Sequence, residues 1–192
     1  MARAGLTVER VVRAAAEMAD EIGIDNVTMT ALARGFGVKD ASLYSHVKNV
    51  TELRGRVALL AAAEQSERLN EAVAGRAGKD ALVAFANAYR DYAHEHPGRY
   101  AATQVQVDPE LLAESPASAR GGELVYAMLR GYGLDEPDVT DAVRLLRSTF
   151  HGFILLEANA GFGHPRDVRS SWERAVEALH VLLENWPSEE ER

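Results

Sequence analysis

The sequence predicts an all-α protein, and three observations carry that expectation. Apolar residues recur at helical spacing almost throughout, no segment alternates apolar and polar residues between turn signals as a strand does, and 47% hydrophobic with 26% charged residues is the balance of an ordinary globular chain. At 192 residues such a chain buries roughly 70 % of its unfolded surface, so a sizeable core is expected. The absence of cysteine removes disulfides, thiolate-bound zinc, iron–sulfur clusters and thiol nucleophiles together. No apolar run approaches the ~20 residues of a membrane span, and Met1 to Leu6 lacks the apolar stretch of a signal peptide. No membrane partner and a cytoplasmic location are expected.

Helical patterns succeed one another along the chain. Val8, Val11, Val12, Ala15, Met18, Ala19 and Ile22 form one apolar stripe, with Thr7 placed to cap the helix and Gly23 to stop it. A short helix is expected from about Met29 to Phe36 behind the cap residue Thr28, and a second from about Ala41 to Val47. A long helix opens near Thr51, where Glu52 suits the positive end of the helix dipole, and runs to about Val73 before Gly75 and Gly78. Asp80 to Glu95 and Arg99 to Val107 flank a His96-Pro97-Gly98 turn. Asp108-Pro109 starts another helix, Ser115 to Gly122 reads as loop, and Glu123 to Gly131 resumes the helical pattern. Pro137 to Ala160 and Val168 to Trp186 complete the chain, with a charged tail over 188–192.

Those last two helices are apolar on more than one side. Val139, Val143, Leu146, Phe150 and Phe153 form one stripe, while Leu145, Ser148, Gly152 and Leu155 form another. Trp172, Val176, Leu179, Leu183 and Trp186 form a third, widened by Ala175, Ala178 and Leu182. A surface helix needs one stripe, so a second copy of the chain is the expected partner. The dimer residues expected are Leu145, Ser148, Gly152, Leu155, Ala175, Leu179 and Leu182; wrapping by the chain's own domain is the competing reading.

Charge separates along the chain. Through Arg56 there are 8 Lys/Arg against 7 Asp/Glu, and beyond it 13 against 22. Only the first part could lie against a polyanion without large repulsion. Within it, Thr30 to Val47 reads TALARGFGVKDASLYSHV. Two short helices cross at a tight turn only where particular positions are small, flexible or apolar. Ala33 is small at the crossing, Gly37 can take a left-handed conformation, and Val38, Leu43 and Val47 face inward with Leu32 and Phe36. Ser42, Ser45, His46 and Lys48 are left outside with Tyr44 at the margin. Those hydroxyl, imidazole, ammonium and phenol groups suit phosphates and base edges.

The string LYSHVKN at Leu43 to Asn49, in register after GV and after EIGIDNVT, resembles the head of the TetR family of bacterial transcriptional repressors; the likeness covers about the first 55 residues. It implies a three-helix helix-turn-helix head, a double-stranded DNA operator, a homodimer, and a sensor domain taking a small-molecule effector. It also implies DNA contacts from Thr28, Thr30, Ser42, Tyr44, Ser45, His46 and Lys48. Two departures stand out. Val50 replaces a cation common in the family, and Asp40 sits in the first turn of the recognition helix, where it suits the dipole or an N-cap but repels phosphate. Further on, STFHGFILLEANAGFG at Ser148 to Gly163 resembles a C-terminal subclass of that family named for a W-H-G signature, of which His151 and Gly152 remain.

Other chemistries find little footing. His94 and His96 are two apart, and His151, His164 and His180 stand on separate elements, so no ligand pair for a metal forms. No phosphate-cradling glycine motif, hydrolase elbow or acid/base pair is present; neither enzyme activity nor a cofactor is expected. Glu157 interrupts an apolar stretch. It either pairs with Arg147 or Arg144 at the edge of the core, or anchors a ligand among Phe85, Tyr89, Tyr100, Phe150 and Phe153, which are otherwise plain core. The expected organisation is a DNA-binding head at 1–50, a helical ligand-binding and dimerisation domain at 51–187, and the tail. A ligand-responsive regulator is the first reading. A helical carrier or interaction module whose head binds no DNA is the alternative, and it has no need of a polar face at Ser42 to Lys48.

Overall fold

A computed structural model describes residues 5–113 and 123–187, and the expectations for Ser115 to Gly122 and for the tail 188–192 lie outside them. Among the described residues the secondary structure is helical, with no strand. The elements are α1 (Val8–Ile22), α2 (Met29–Phe36), α3 (Val50–Val73), α4 (Gly78–Glu95), α5 (Pro97–Ala102), α6 (Pro109–Ala113), α7 (Glu123–Arg130), α8 (Asp138–Ala158) and α9 (Val168–Glu184). No helix among them is long and apolar enough to cross a membrane.

Two compact units form, and they do not follow chain order. The described parts of the first are residues 5–66 and 95–113; those of the second are 67–94 and 123–187. The segment 1–50 expected to form a head shares its unit with the first part of α3, with α5 and with α6.

Capping chemistry sets the helix starts of the first unit. The Thr7 hydroxyl accepts from the Arg10 N–H at 3.3 Å and the Thr28 hydroxyl from the Ala31 N–H at 3.2 Å, each satisfying an amide that the first helical turn leaves open. Gly23 closes α1, its N–H donating to the Ala19 carbonyl at 2.8 Å. Ile22, expected in the apolar stripe, is exposed instead, because a single 3-10 turn at Ile24–Asn26 brings Ile24 into the core.

The core of this unit joins Val11, Ala15 and Ala19 of α1 to Leu32 and Ala33 of α2, Leu43 and Val47 beyond the turn, Leu53 and Val57 of α3, and Ala102 of α5. Where α5 meets α1 there is no space for a side chain: a Cβ on Gly98 would overlap the Ala19 carbonyl. Asp20 then bonds the start of α5, its Oδ1 accepting from the Arg99 N–H at 2.8 Å while its Oδ2 lies 3.2 Å from Arg99 Nε and 3.3 Å from His96 Nδ1. Arg99 also pairs with Glu64 of α3 at 3.2 Å. Three helices are thus tied at one place. The helix expected over Arg99 to Val107 is correspondingly short, ending at Ala102.

In the second unit, Phe85 and Tyr89 of α4, Phe150 of α8 and Trp172 of α9 stack as tilted rings with centroids 5.3–6.3 Å apart. The Trp172 indole N–H donates to the Asn87 side-chain oxygen at 2.9 Å, the partner a buried indole needs. Tyr132 meets His180 of α9 at 3.1 Å, and burial pushes its phenol up to about 12.

Gly98→Ala is expected to destabilise the first unit by about 3 kcal/mol, the upper range for overpacking, because the backbone of α1 cannot move aside as a flexible side chain would. Gly35→Ala, with open space around its Cβ, serves as control and is expected to be neutral or stabilising by up to about 1 kcal/mol. Urea unfolding followed by circular dichroism measures both; equal midpoints for the two variants would contradict the close α1–α5 approach.

Candidate functional site

The turn after α2 is built by its glycine. Gly37 adopts φ 66, ψ 33, its N–H donates to the Arg34 carbonyl at 3.1 Å and the Val38 N–H donates to the Ala33 carbonyl at 3.0 Å. This pairing satisfies the last carbonyls of α2 and reverses the chain. A side chain at position 37 would strain that left-handed conformation.

Beyond the turn the chain departs from the helix expected over Ala41 to Val47. The segment is one 3-10 turn, Asp40–Ser42, continued by turns to His46, with bonds from Leu43 to Asp40, His46 to Leu43 and Val47 to Leu43. Lys39, not Asp40, holds its N-cap position, and no side chain caps it. Its order comes from two apolar anchors instead, since Leu43 and Val47 are both sunk in the core. With those two committed inward, most of the side chains around them are left to solvent.

Ser42, Tyr44, Ser45 and Lys48 are exposed and His46 is half-buried; Thr28 and Thr30 are exposed at the start of α2. Tyr44 stands at 54% exposure, well out from the margin expected for it. The Ser45 hydroxyl donates to the Ser42 carbonyl at 2.8 Å, and the Thr30 hydroxyl donates to Asp40 Oδ2 at 2.6 Å. That second bond joins α2 to the segment beyond the turn.

At the start of α3, Asn49 Oδ1 accepts from the Glu52 N–H at 2.8 Å while Glu52 Oε2 accepts from the Lys48 N–H at 2.6 Å. It is a capping box shifted by one residue, and the N-x-x-E spacing at Asn49 to Glu52 is the sequence signal for it. Burial raises the Glu52 carboxyl, but the Lys48 N–H and the Arg56 guanidinium outweigh it and hold the group below the ordinary carboxylate range. Val50 opens α3 and packs against the head core, which gives an apolar residue a role at that position. A polar cleft of about 380 Å³ lies alongside, lined by Lys48, Glu52, Arg56, Gln106, Asp108 and others; no sequence signal pointed to it.

The residues expected to line a ligand site divide between the units. Tyr100 is buried in the first, while Phe85, Tyr89, Phe150, Phe153 and Glu157 belong to the second, where Phe85, Tyr89 and Phe150 fill space against one another. Glu157 pairs with neither Arg147 nor Arg144. Its carboxylate takes both Nε and a terminal nitrogen of Arg90, the former at 2.8 Å, and His94 Nε2 at 3.0 Å, while Arg144 pairs with Asp141. Arg90, at 8% exposure, also lies over the Trp172 ring at 5.6 Å. Arg90 and His94 are one turn apart on α4, but nothing in the sequence linked them to a residue more than sixty positions away. The hydrogen bond from Arg90 holds Glu157 below the ordinary carboxylate range against the opposing effect of burial.

Of the residues expected at a dimer interface, Ser148, Leu155 and Leu182 are exposed, and Leu145, Gly152 and Ala175 are partly so. Leu179 is a correction. At 7% exposure it belongs to the interior with Trp172, Val176 and Leu183, along one face of α9. Val181 and Leu156 are exposed beside Leu182 and Leu155. Among the described residues no group of three or more His, Asp or Glu side chains is placed to hold a metal ion.

Comparison with known proteins gives concordant matches. The family profile "Tetracyclin repressor-like, C-terminal domain" matches residues 82–179. An uncharacterized HTH-type transcriptional regulator of Mycobacterium tuberculosis is 40% identical over 158 residues, covering 80% of this chain and 71% of that protein. The uncharacterized HTH-type transcriptional regulator YobS of Bacillus subtilis is 33% identical over 189 residues, covering 95% and 96%. The fold is shared with the crystal structure of apo ActR from Streptomyces coelicolor, at TM-score 0.75 and 21% identity over 96% of this chain and 97% of that one.

The Arg90–Glu157 pair sets a pH dependence. A carboxyl whose folded value lies below its unfolded value, about 4.3, adds stability above that unfolded value and loses it as pH falls through the folded one. Glu157→Gln is therefore expected to cost about 1–3 kcal/mol at pH 7, with the gap to wild type closing below about pH 4. Replacing both Arg90 and Glu157 by Leu is expected to cost less than the single change, since no charge is left unpaired. Urea unfolding between pH 3 and pH 7 measures both, and a gap independent of pH would contradict the pairing.

Proposed function

The chain belongs to the TetR family of helix-turn-helix transcriptional regulators, and on that premise we propose that it binds a palindromic DNA operator as a homodimer and represses transcription there until a small molecule binds its C-terminal part. Its function is regulatory, not catalytic. The site of action is the cytoplasm, where the chromosome lies.

One observation carries the reading. Behind Ser42, Tyr44, Ser45 and Lys48 the chain is anchored by Leu43 and Val47, so the outward positions are free to be polar and are held in a fixed register. Lys48, the Thr28 hydroxyl and the α2 amides suit phosphates; Ser42, Tyr44, Ser45 and His46 suit base edges. Dimerisation through the exposed apolar faces of α8 and α9, with Ser148 and Gly152 permitting close approach, would present two such heads. Helix-turn-helix dimers read half-sites about 34–36 Å apart. An effector bound among the second unit's aromatic residues would act through α3, which contributes residues to both units, by as much as its affinity differs between the two states.

Tyr44→Ala is expected to weaken operator binding by at least about tenfold while leaving thermal unfolding within about 0.5 kcal/mol of wild type, since the ring is exposed. Fluorescence anisotropy on duplex operator measures it; wild-type affinity would sink the assignment of the recognition segment. Wild-type affinity is also expected to fall steeply with salt, by about 0.9 in logarithmic slope for each phosphate neutralised.

Leu155→Glu combined with Leu182→Glu, at 44% and 39% exposure, is expected to give a folded monomer in sedimentation velocity, whereas Leu179→Glu is expected to unfold the second unit. A double mutant that remains dimeric would place the interface elsewhere.

A further inference from the structure

The carboxylate of Asp40 is out of place on a surface meant for DNA. It is half-buried at the first position of the recognition segment and accepts a hydrogen bond from the Thr30 hydroxyl at 2.6 Å, a contact that favours this position over others. An ionised carboxylate only accepts hydrogen bonds, through about four lone-pair positions, of which the Thr30 hydroxyl occupies one. Almost everything a duplex presents is also an acceptor. Phosphate oxygens repel the group, as do guanine N7 and O6, adenine N7 and thymine O4.

Two major-groove groups are exceptions, the N4 amine of cytosine and the N6 amine of adenine. Adenine's amine stands beside its N7 acceptor, which would face the second carboxylate oxygen across the groove. Cytosine's has only a C–H on that side. A carboxylate fixed on this face is thus favourable opposite cytosine and unfavourable opposite the other three bases.

We propose that Asp40 is a specificity-determining residue that accepts a hydrogen bond from the N4 amine of one cytosine in each operator half-site, with Thr30 as the positioning residue that fixes its carboxylate. The inference rests on the reading of the head as a reader of duplex DNA. It gives the like-charge cost of Asp40 a function: the residue loses affinity for DNA in general and returns it at one base pair, which is discrimination. Thr30 then serves the recognition segment through Asp40.

The test is selection of binding sites from a randomised duplex pool by the full-length chain and by the variants Asp40→Asn, Asp40→Ala and Thr30→Val. Wild type is expected to enrich a half-site with cytosine at one position, and changing that base pair in the selected duplex is expected to weaken binding about tenfold. Asp40→Asn is expected to move the preference at that position alone from cytosine to adenine, which an amide reads through N6 and N7. Asp40→Ala is expected to erase the preference there, and Thr30→Val to relax it without redirecting it. If the Asp40 variants bind the same sites with the same base preferences, or lose affinity uniformly over all positions, Asp40 is only a latch between α2 and the turn and the inference is overturned. A wild-type chain that enriches no sequence overturns the DNA-reading function itself, an outcome distinct from an operator that Asp40 does not influence.

Discussion

The backbone contact between α1 and α5 is the constraint on which the first unit depends. At Gly98 the chain has no side chain because the Ala19 carbonyl occupies the place one would take, and Asp20, the next residue of α1, bonds the start of α5 through the Arg99 N–H. Helices this close meet backbone to backbone, with no room for a side chain between them at that point. Ala102 at the end of α5 thereby reaches the same core as Leu43 and Val47 of the recognition segment. The polar face is therefore held from behind by residues more than fifty positions further along the chain. A head cut at residue 50 would lack Leu53, Val57 and Ala102, which close its core.

The segment from Asp40 to Lys48 shows how little regular structure an exposed polar face requires. One 3-10 turn and a few further turn bonds suffice because Leu43 and Val47 anchor it in the core, and because Gly37, Val38 and the Thr30–Asp40 bond fix its approach. The side chains between are released from packing. Tyr44 is a large ring left exposed among them by a chain that buries Tyr89, Tyr92 and Tyr100. An exposed aromatic ring has little to gain from water, and a groove of stacked bases and sugar edges is a surface it can cover.

Local chemistry is legible in the sequence, and long-range pairing is not. Thr7, Thr28, Gly23 and Gly37 sit where caps and stops must be, so α1, α2 and the turn between helices can be placed residue by residue. The segment Ala41 to Val47 reads as helix because the spacing of Leu43 and Val47 fits a helix turn, and it equally fits two anchors of a tighter loop. Ile22 departs from expectation because periodicity identifies an apolar face but not where neighbouring elements end, and Ile24 covers the place Ile22 would have taken. The partner of Glu157 is Arg90, on an element that no local signal connects to it. The sequence does not separate core from ligand site in the second unit for the same reason, since a cluster of rings at helical spacing describes a packed core as well as a binding site.

An acidic chain, at −8 overall, can engage a polyanion only where its charge is locally relieved, and the near-balanced first 56 residues are the part that allows it. Two copies joined through α8 and α9 would bring two such regions to one duplex. Hydroxyl-radical footprinting of the full-length chain on its selected operator tests this most directly. A two-headed reader predicts two protected tracts on one face of the duplex, centred about 10 base pairs apart or a multiple of that. A single tract, or protection spread evenly along the DNA, would contradict it.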